Sequence, residues 1–190
     1  MAELIEVIKE KLSKYSKTTL KVASLRPSAV MLIIYPKDKG YCILLNKRSE
    51  EVEHHKGEIS FPGGAKDPGD NTMLDVALRE THEEMGIFSE DIQVLGELSE
   101  VSTNSGFVIN TFVATIPYPY KFQISSAEIA EVIEMPLDSL LDRTNHREEA
   151  WIEEERLVRG FIYAYNGHLV YGATARILSQ LVALLENDVR

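Results

Sequence analysis

Between Arg79 and Gly86 the chain reads RETHEEMG, with glutamates at positions 80, 83 and 84. Offsets of zero, three and four set like charges side by side on one helix face, where they repel. The flanking residues nevertheless demand a helix. Asp70, Asn71 and Thr72 offer N-caps, Thr72 with Asp75 makes a capping-box pattern, and Gly86 sits where a glycine ends a helix. The spacing predicts a helix from about Met73 to Met85. At about 100° per residue the three glutamates fall within an arc of roughly 100°, and Leu74, Leu78, Thr81 and Met85 form a separate stripe. The stripe is expected to anchor the helix to a sheet while the carboxylates converge at the edge of that packing. His82 and Asp75 are left toward solvent.

An isolated run of this kind is ordinarily a solvated acidic face. Its placement argues otherwise. Acidic side chains are favoured in the first turn of a helix, whereas these occupy the last two, where the helix dipole disfavours anions. A hard divalent cation resolves the repulsion, and Mg²⁺ is usually held by a few carboxylates together with waters and substrate phosphates.

The rest of the chain is consistent with one domain carrying a small N-terminal appendage. Its 190 residues suffice for a sizeable core. The segment AELIEVIKEKLSKYSK has apolar residues at Leu4, Ile5, Ile8 and Leu12, the spacing of an amphipathic helix. Residues 1–26 are read as that appendage and 27–190 as the main body. AVMLIIYP and YCILLNKR around KDKG form a hairpin pattern of central strands. Ser49 to Lys66 is polar, charged and broken by FPGG, and reads as a functional loop. β-like material follows in IQVLGELSEV and FVINTFVATI, then a loop rich in Pro and Tyr, and a short helix is expected in SAEIAEVIEMPLDSLL. ERLVRGFIYAYNGHLVYG suggests a second hairpin turning at Asn166-Gly167, and GATARILSQLVALLEND a closing helix. The order predicts an α/β (α+β) sandwich, a mixed sheet flanked by helices.

Composition excludes several classes of function. A net charge of −10 leaves no basic footprint for nucleic acid or an anionic membrane. The longest apolar run, Val30 to Tyr35, is far too short to span a bilayer, and MAELIEVIKE lacks the apolar stretch of a signal peptide. A single cysteine, Cys42, forbids an internal disulfide and suits a reducing, cytoplasmic setting. A homodimer is compatible with all of this.

The stretch GGAKDPGDNTMLDVALRETHEEMGI resembles the signature of the Nudix hydrolases: glycine, five residues, Glu, seven residues, then Arg-Glu-apolar-x-Glu-Glu-x-Gly-apolar. Arg79 to Ile87 match, with Thr81 as the one soft substitution. The front half departs, since counting back puts Asn71 where the pattern has Glu and Ala65 where it has Gly. A one-residue insertion restores Gly64, and Asp70 is then the nearest acid. That offset resembles the coenzyme A pyrophosphatase branch. LLNKRS (Leu44 to Ser49), GEISFPGG (Gly57 to Gly64), SGFVI (Ser105 to Ile109) and YGATARIL (Tyr171 to Leu178) are similar to its other motifs. Glu53 and Glu58 depart from it, where the branch usually has Arg and Gln.

The resemblance implies a Nudix-like sandwich and Mg²⁺- or Mn²⁺-dependent cleavage of the pyrophosphate bond of coenzyme A or acyl-CoA, to 3',5'-ADP and (acyl-)phosphopantetheine. Another nucleoside diphosphate derivative, such as ADP-ribose or NADH, and a non-catalytic nucleotide-binding module are the alternatives. In a pyrophosphate the bridging oxygen must leave with its charge neutralised while water attacks phosphorus, which metal ions serve on both counts. Glu80, Glu83 and Glu84 are the expected ligands. The Gly64 carbonyl is a further one, against the plainer reading of Gly64 as a turn into the helix. Glu83 is the preferred general base. Glu128, Glu131 and Glu134 are downstream alternatives whose spacing better suits a plain amphipathic helix. Arg79 is expected to orient a glutamate by a charge-assisted hydrogen bond. Lys47, Arg48, His54, His55 and Lys56 form the one basic concentration near the motif, for the substrate's phosphates or as simple surface charge. Phe107 is a candidate contact for adenine or pantetheine, though an aromatic in a strand is more often core. Ser60 and Cys42 have no partnered base nearby, which argues against covalent catalysis.

Overall fold

The structure, a computed structural model, describes residues 2–22, 24–50, 56–153 and 156–186. Its first helix, α1 (Ala2–Lys14), leads by an extended segment into β1 (Arg26–Lys37) and β2 (Gly40–Arg48), an antiparallel pair. Their hairpin closes through residues 38–39, with Asp38 at φ 53°, a left-handed conformation that Asp tolerates. Met31 to Tyr35 are wholly buried, which is why RPSAVMLIIYPK lacks the alternation of a half-exposed strand. Two short strands follow, β3 (Ile59–Ser60) against β2 and β4 (Gly63–Ala65) against β1.

Then comes α2 (Met73–Met85), with the limits expected from its caps. Thr72 accepts from the Asp75 backbone while Asp75 accepts from the Thr72 backbone, and Gly86 ends the helix in the left-handed region at φ 68°. IQVLGELSEV divides into β5 (Gln93–Glu97) and β6 (Val101–Ser102), both pairing with β7 (Phe107–Thr115). β7 lies parallel to β1, with Arg26 opposite Phe107 and Ala29 opposite Asn110.

The expected helix in SAEIAEVIEMPLDSLL is mostly a strand, β8 (Ile129–Pro136), which pairs with β2 before a short helix, α3 (Leu137–Leu141). The β-branched Ile129, Val132 and Ile133 suit that pairing, and Pro136 ends it. A three-stranded sheet then forms from β9 (His146–Glu153), β10 (Arg156–Tyr165) and β11 (His168–Val170), and α4 (Gly172–Glu186) closes the chain. β9 has no counterpart in the sequence expectations, because HREEAWIE carries too many charges to read as a strand. The β10–β11 turn is Asn166-Gly167 as expected, both residues at positive φ.

The main sheet, ordered β3-β2-β1-β7-β5 with β4, β6 and β8 attached, is covered on both faces. On one face Ala29, Met31, Ile33, Leu44 and Phe112 pack with Val76, Ala77 and Met85 of α2. On the other, Leu32, Ile34, Ile43, Leu45 and Val113 pack with Ile8 and Leu12 of α1 and with Ile177, Leu178 and Leu181 of α4. The helical appendage thus contributes directly to one of the two cores. Among the described residues no helix is long and apolar enough to cross a membrane.

Candidate active site

The buried surface of α2 is rotated from the stripe expected for it. Val76, Ala77, Thr81 and Met85 are buried, and Leu74 and Leu78 are only partly so. Glu84 belongs to this buried surface, with 1% of the residue exposed. The reason is a polar shelf beneath it, built from the ends of β2 and β4. Asn46 donates its side-chain amide to Glu84 Oε2 at 3.0 Å, and the Gly63 backbone N–H donates to the same oxygen at 3.1 Å. Arg48 brings Nη1 to 3.5 Å from Oε1. Burial pushes the Glu84 carboxyl up to about 7, against the opposing pull of the Gly63 N–H and the Arg48 charge.

Both glycines of FPGG are structural requirements here. A side chain on Gly63 would lie 2.3 Å from the Ala29 carbonyl oxygen, and one on Gly64 would lie 2.3 Å from Glu80 Oε1. The Glu80 carboxylate therefore rests where a Cβ would stand, directly against the backbone of β4. Burial raises the Glu80 carboxyl above its ordinary range despite the Arg79 hydrogen bond.

Arg79 organises the outer part of the site. Its Nε and Nη2 form a two-pronged pair with Asp70 at 3.1 and 3.0 Å, and Nη2 also donates to the Ala65 carbonyl at 3.2 Å. Nη1 donates to Glu80 Oε1 at 2.9 Å and to Glu83 Oε2 at 3.0 Å. The Arg79 guanidinium in turn holds the Asp70 carboxyl below its usual range. Asp70, the nearest acid after the one-residue insertion, thus anchors the arginine that bears on two of the three glutamates.

Arg79 holds Glu80 and Glu83, and the shelf holds Glu84, so among the described residues no three His, Cys, Asp or Glu side chains are arranged to bind a metal. The donor chemistry still suits a hard cation, since all the groups are oxygens and the glycine backbone of β4 is open to close approach beside Glu80.

Of the basic residues expected to meet substrate, Arg48 alone among those described reaches a carboxylate of α2. Lys47, the residue before it on β2, pairs with Ile59 of β3 and Glu131 of β8, and a register shift separates it from Arg48. Lys56 is exposed in a turn. Glu53, His54 and His55 lie outside the described residues. Phe107 lies under the Arg26 guanidinium, which stands 4.1 Å from its ring centroid. Arg26 had no motif to mark it. His82 is exposed, as expected, and lies tilted at 40° against Phe88 with ring centroids 4.9 Å apart.

Among the downstream acids, Glu131 pairs with His168 at 3.3 Å, and Glu134 accepts from Tyr35 and Lys37. Glu128 is different. It lies in the turn just before β8, its carbonyl accepting from the Ser49 N–H at 2.7 Å, and its charge acts on both Glu80 and Glu84. Asn46, the donor to Glu84, was not anticipated, because a single polar residue ending an apolar strand gives no periodic signal.

A family model described as the NUDIX domain matches residues 25–158. The chain is 34% identical over 156 residues to an uncharacterized Nudix hydrolase, NudL, of Photorhabdus laumondii, covering 82% of this chain and 83% of that one. It is 36% identical over 139 residues to a NudL of Pectobacterium atrosepticum, covering 73% and 72% of the two chains. Among solved structures, a MutT/nudix family protein from Enterococcus faecalis superposes with TM-score 0.59 at 17% identity, over 97% of this chain and 74% of its own. The Nudix hydrolase RenU from M. smegmatis superposes with TM-score 0.56 at 20% identity, over 87% and 88%. These likenesses bear on the fold.

Proposed function

The chain belongs to the NUDIX domain family of hydrolases acting on diphosphate-containing substrates, and from that premise we propose that it cleaves the pyrophosphate bond of coenzyme A or an acyl-CoA. The observation that carries a hydrolytic site is the pairing of a buried Glu84 with a Glu80 laid against the glycine backbone of β4. Two desolvated carboxylates this close are costly without a cation. The substrate class is supported by Leu44–Ser49, Gly57–Gly64, Ser105–Ile109 and Tyr171–Leu178, which resemble motifs of the coenzyme A pyrophosphatase branch.

Glu80, Glu83, Glu84 and the Gly64 carbonyl would hold Mg²⁺ or Mn²⁺. When bound, such an ion neutralises developing charge on the diphosphate and lowers the pKa of a coordinated water. Arg79 keeps Glu80 and Glu83 oriented, and Asp70 keeps Arg79 in place. A new bond forms from water oxygen to phosphorus as the bond to the bridging oxygen breaks. That oxygen leaves on the departing phosphate, and a carboxylate takes the water's proton. The products are 3',5'-ADP and (acyl-)phosphopantetheine.

Glu83 is the proton acceptor in this reading, being the most exposed of the three, with 52% of its side chain open. Glu128 is a second acceptor, favoured by its influence on both Glu80 and Glu84. Substituting each by Gln separates them: the base variant should lose on the order of 100-fold in kcat or more. Equal small losses in both would remove both from that role.

The substrate is tested by incubating the protein with Mg²⁺ or Mn²⁺ and, separately, coenzyme A, ADP-ribose, NADH and nucleoside triphosphates. The highest kcat/KM is expected for coenzyme A. Preference for any other compound would reject the branch assignment and leave the family intact.

A further inference from the structure

Asn46 is 0% exposed, in a strand that is otherwise apolar from Cys42 to Leu45. A buried amide is costly unless both of its ends are bonded, and here both are. The side-chain oxygen accepts from the Ser60 hydroxyl at 2.7 Å, and the nitrogen donates to Glu84 Oε2 at 3.0 Å. In its ionised form, the one that would hold a cation, the Glu84 carboxylate has no proton to give and must meet the NH₂ end. Ser60 donates to the other end, so both ends of the amide are bonded in this orientation. Gly63 N–H adds a second donor to the same oxygen. Glu84 is therefore held through Oε2, while among the described residues Oε1 has only the Arg48 ion pair at 3.5 Å, longer than an ordinary hydrogen bond.

We propose that Asn46, oriented by Ser60, is a positioning residue that occupies Oε2 of Glu84 and so presents Oε1 to a divalent cation. Asn46 and Ser60 both lie outside the Arg79–Ile87 signature, on β2 and β3. The inference rests on the proposed metal-dependent hydrolysis and adds to it a division of labour between two oxygens of one carboxylate. Removing the donor frees the carboxylate to rotate, which weakens cation binding even in a folded protein. Groups that orient metal ligands in this way typically govern affinity by about 10- to 100-fold.

The test is calorimetric titration of Mn²⁺ into the full-length protein, with thermal melts of the metal-free form beside it. Asn46→Val keeps a strand-forming side chain of similar size and removes the donor. It should melt no lower than the wild type by more than a few degrees and bind Mn²⁺ about 10- to 100-fold more weakly. Ser60→Ala should show a smaller loss of the same kind, and Ser60→Thr, which keeps the hydroxyl, should bind as the wild type does. If Asn46→Val does not fold, the two Ser60 variants decide the matter. Mn²⁺ affinity within twofold of wild type in both Asn46→Val and Ser60→Ala would overturn the proposal, as would equal losses in Ser60→Ala and Ser60→Thr. Glu84→Gln provides the separate control. If it binds Mn²⁺ like the wild type, the carboxylate site itself is rejected; if it alone loses Mn²⁺, only the role of Asn46 and Ser60 falls.

Discussion

Glu84 and Asp70 respond to pH in opposite senses. Glu84, nearly inaccessible, has its carboxyl pushed up to about 7, mainly by burial. Its folded-state pKa exceeds the unfolded one, so its contribution to metal-free stability is complete at acid pH and is lost as pH rises toward and through 7. Glu84→Gln should abolish this dependence: in EDTA it should match the wild type near pH 4 and exceed it at pH 8 by at most on the order of 3 kcal/mol. Urea unfolding at the two pH values measures this, and a difference independent of pH would contradict it. Asp70 is held below its usual range by Arg79, so its contribution is present above that range and disappears on acidification. Asp70→Asn should therefore destabilise the protein at pH 7 and hardly at all near pH 2. At Gly64, an added methyl would stand 2.3 Å from Glu80 Oε1. Gly64→Ala should leave the circular dichroism spectrum intact while lowering kcat on the order of 100-fold, the penalty for displacing a reacting group by about 1 Å.

At the scale of elements, α2 shows local signals succeeding and β8 shows them failing. The limits of α2 follow from Thr72, Asp75 and Gly86, all within a turn of the ends they define. Thr72→Ala should cost about 1 kcal/mol of stability in urea titration. Its kcat should be unchanged, because Glu80, Glu83 and Glu84 lie in the last two turns. β8 has apolar residues at Ile129, Val132, Ile133 and Met135, a spacing that a helix and a strand can both accommodate. Pairing with β2, from Cys42 opposite Pro136 to Arg48 opposite Ile129, decides for the strand. That outcome dispersed the three downstream acids. Glu131 and Glu134 went to His168 and Lys37, and Glu128, at the bend before the strand, stayed within electrostatic range of α2.

For the molecule as a whole, α1 is bound into the same core as α4. Ile8 is 0% exposed among residues of the sheet and α4, and a side chain on Gly96 would come within 2.7 Å of Leu12 Cβ. Ile8→Ala should cost about 2–5 kcal/mol in global unfolding, the range for a buried large-to-small change. A loss below about 1 kcal/mol would show that α1 docks as a separable appendage. The division is one of range along the chain. Sequence alone determined α2 and its ends, the two tight hairpins, the placement of a carboxylate trio on one helix and the family signature, because each depends on residues within a few positions of one another. Tertiary structure alone decided that Glu84 is buried while Glu83 is exposed, and that Asn46 and Gly63 share one Glu84 oxygen. Those outcomes join residues 21 and 38 positions apart. Such groups meet only after the sheet has formed and the helix has packed on it, so no local pattern can specify them.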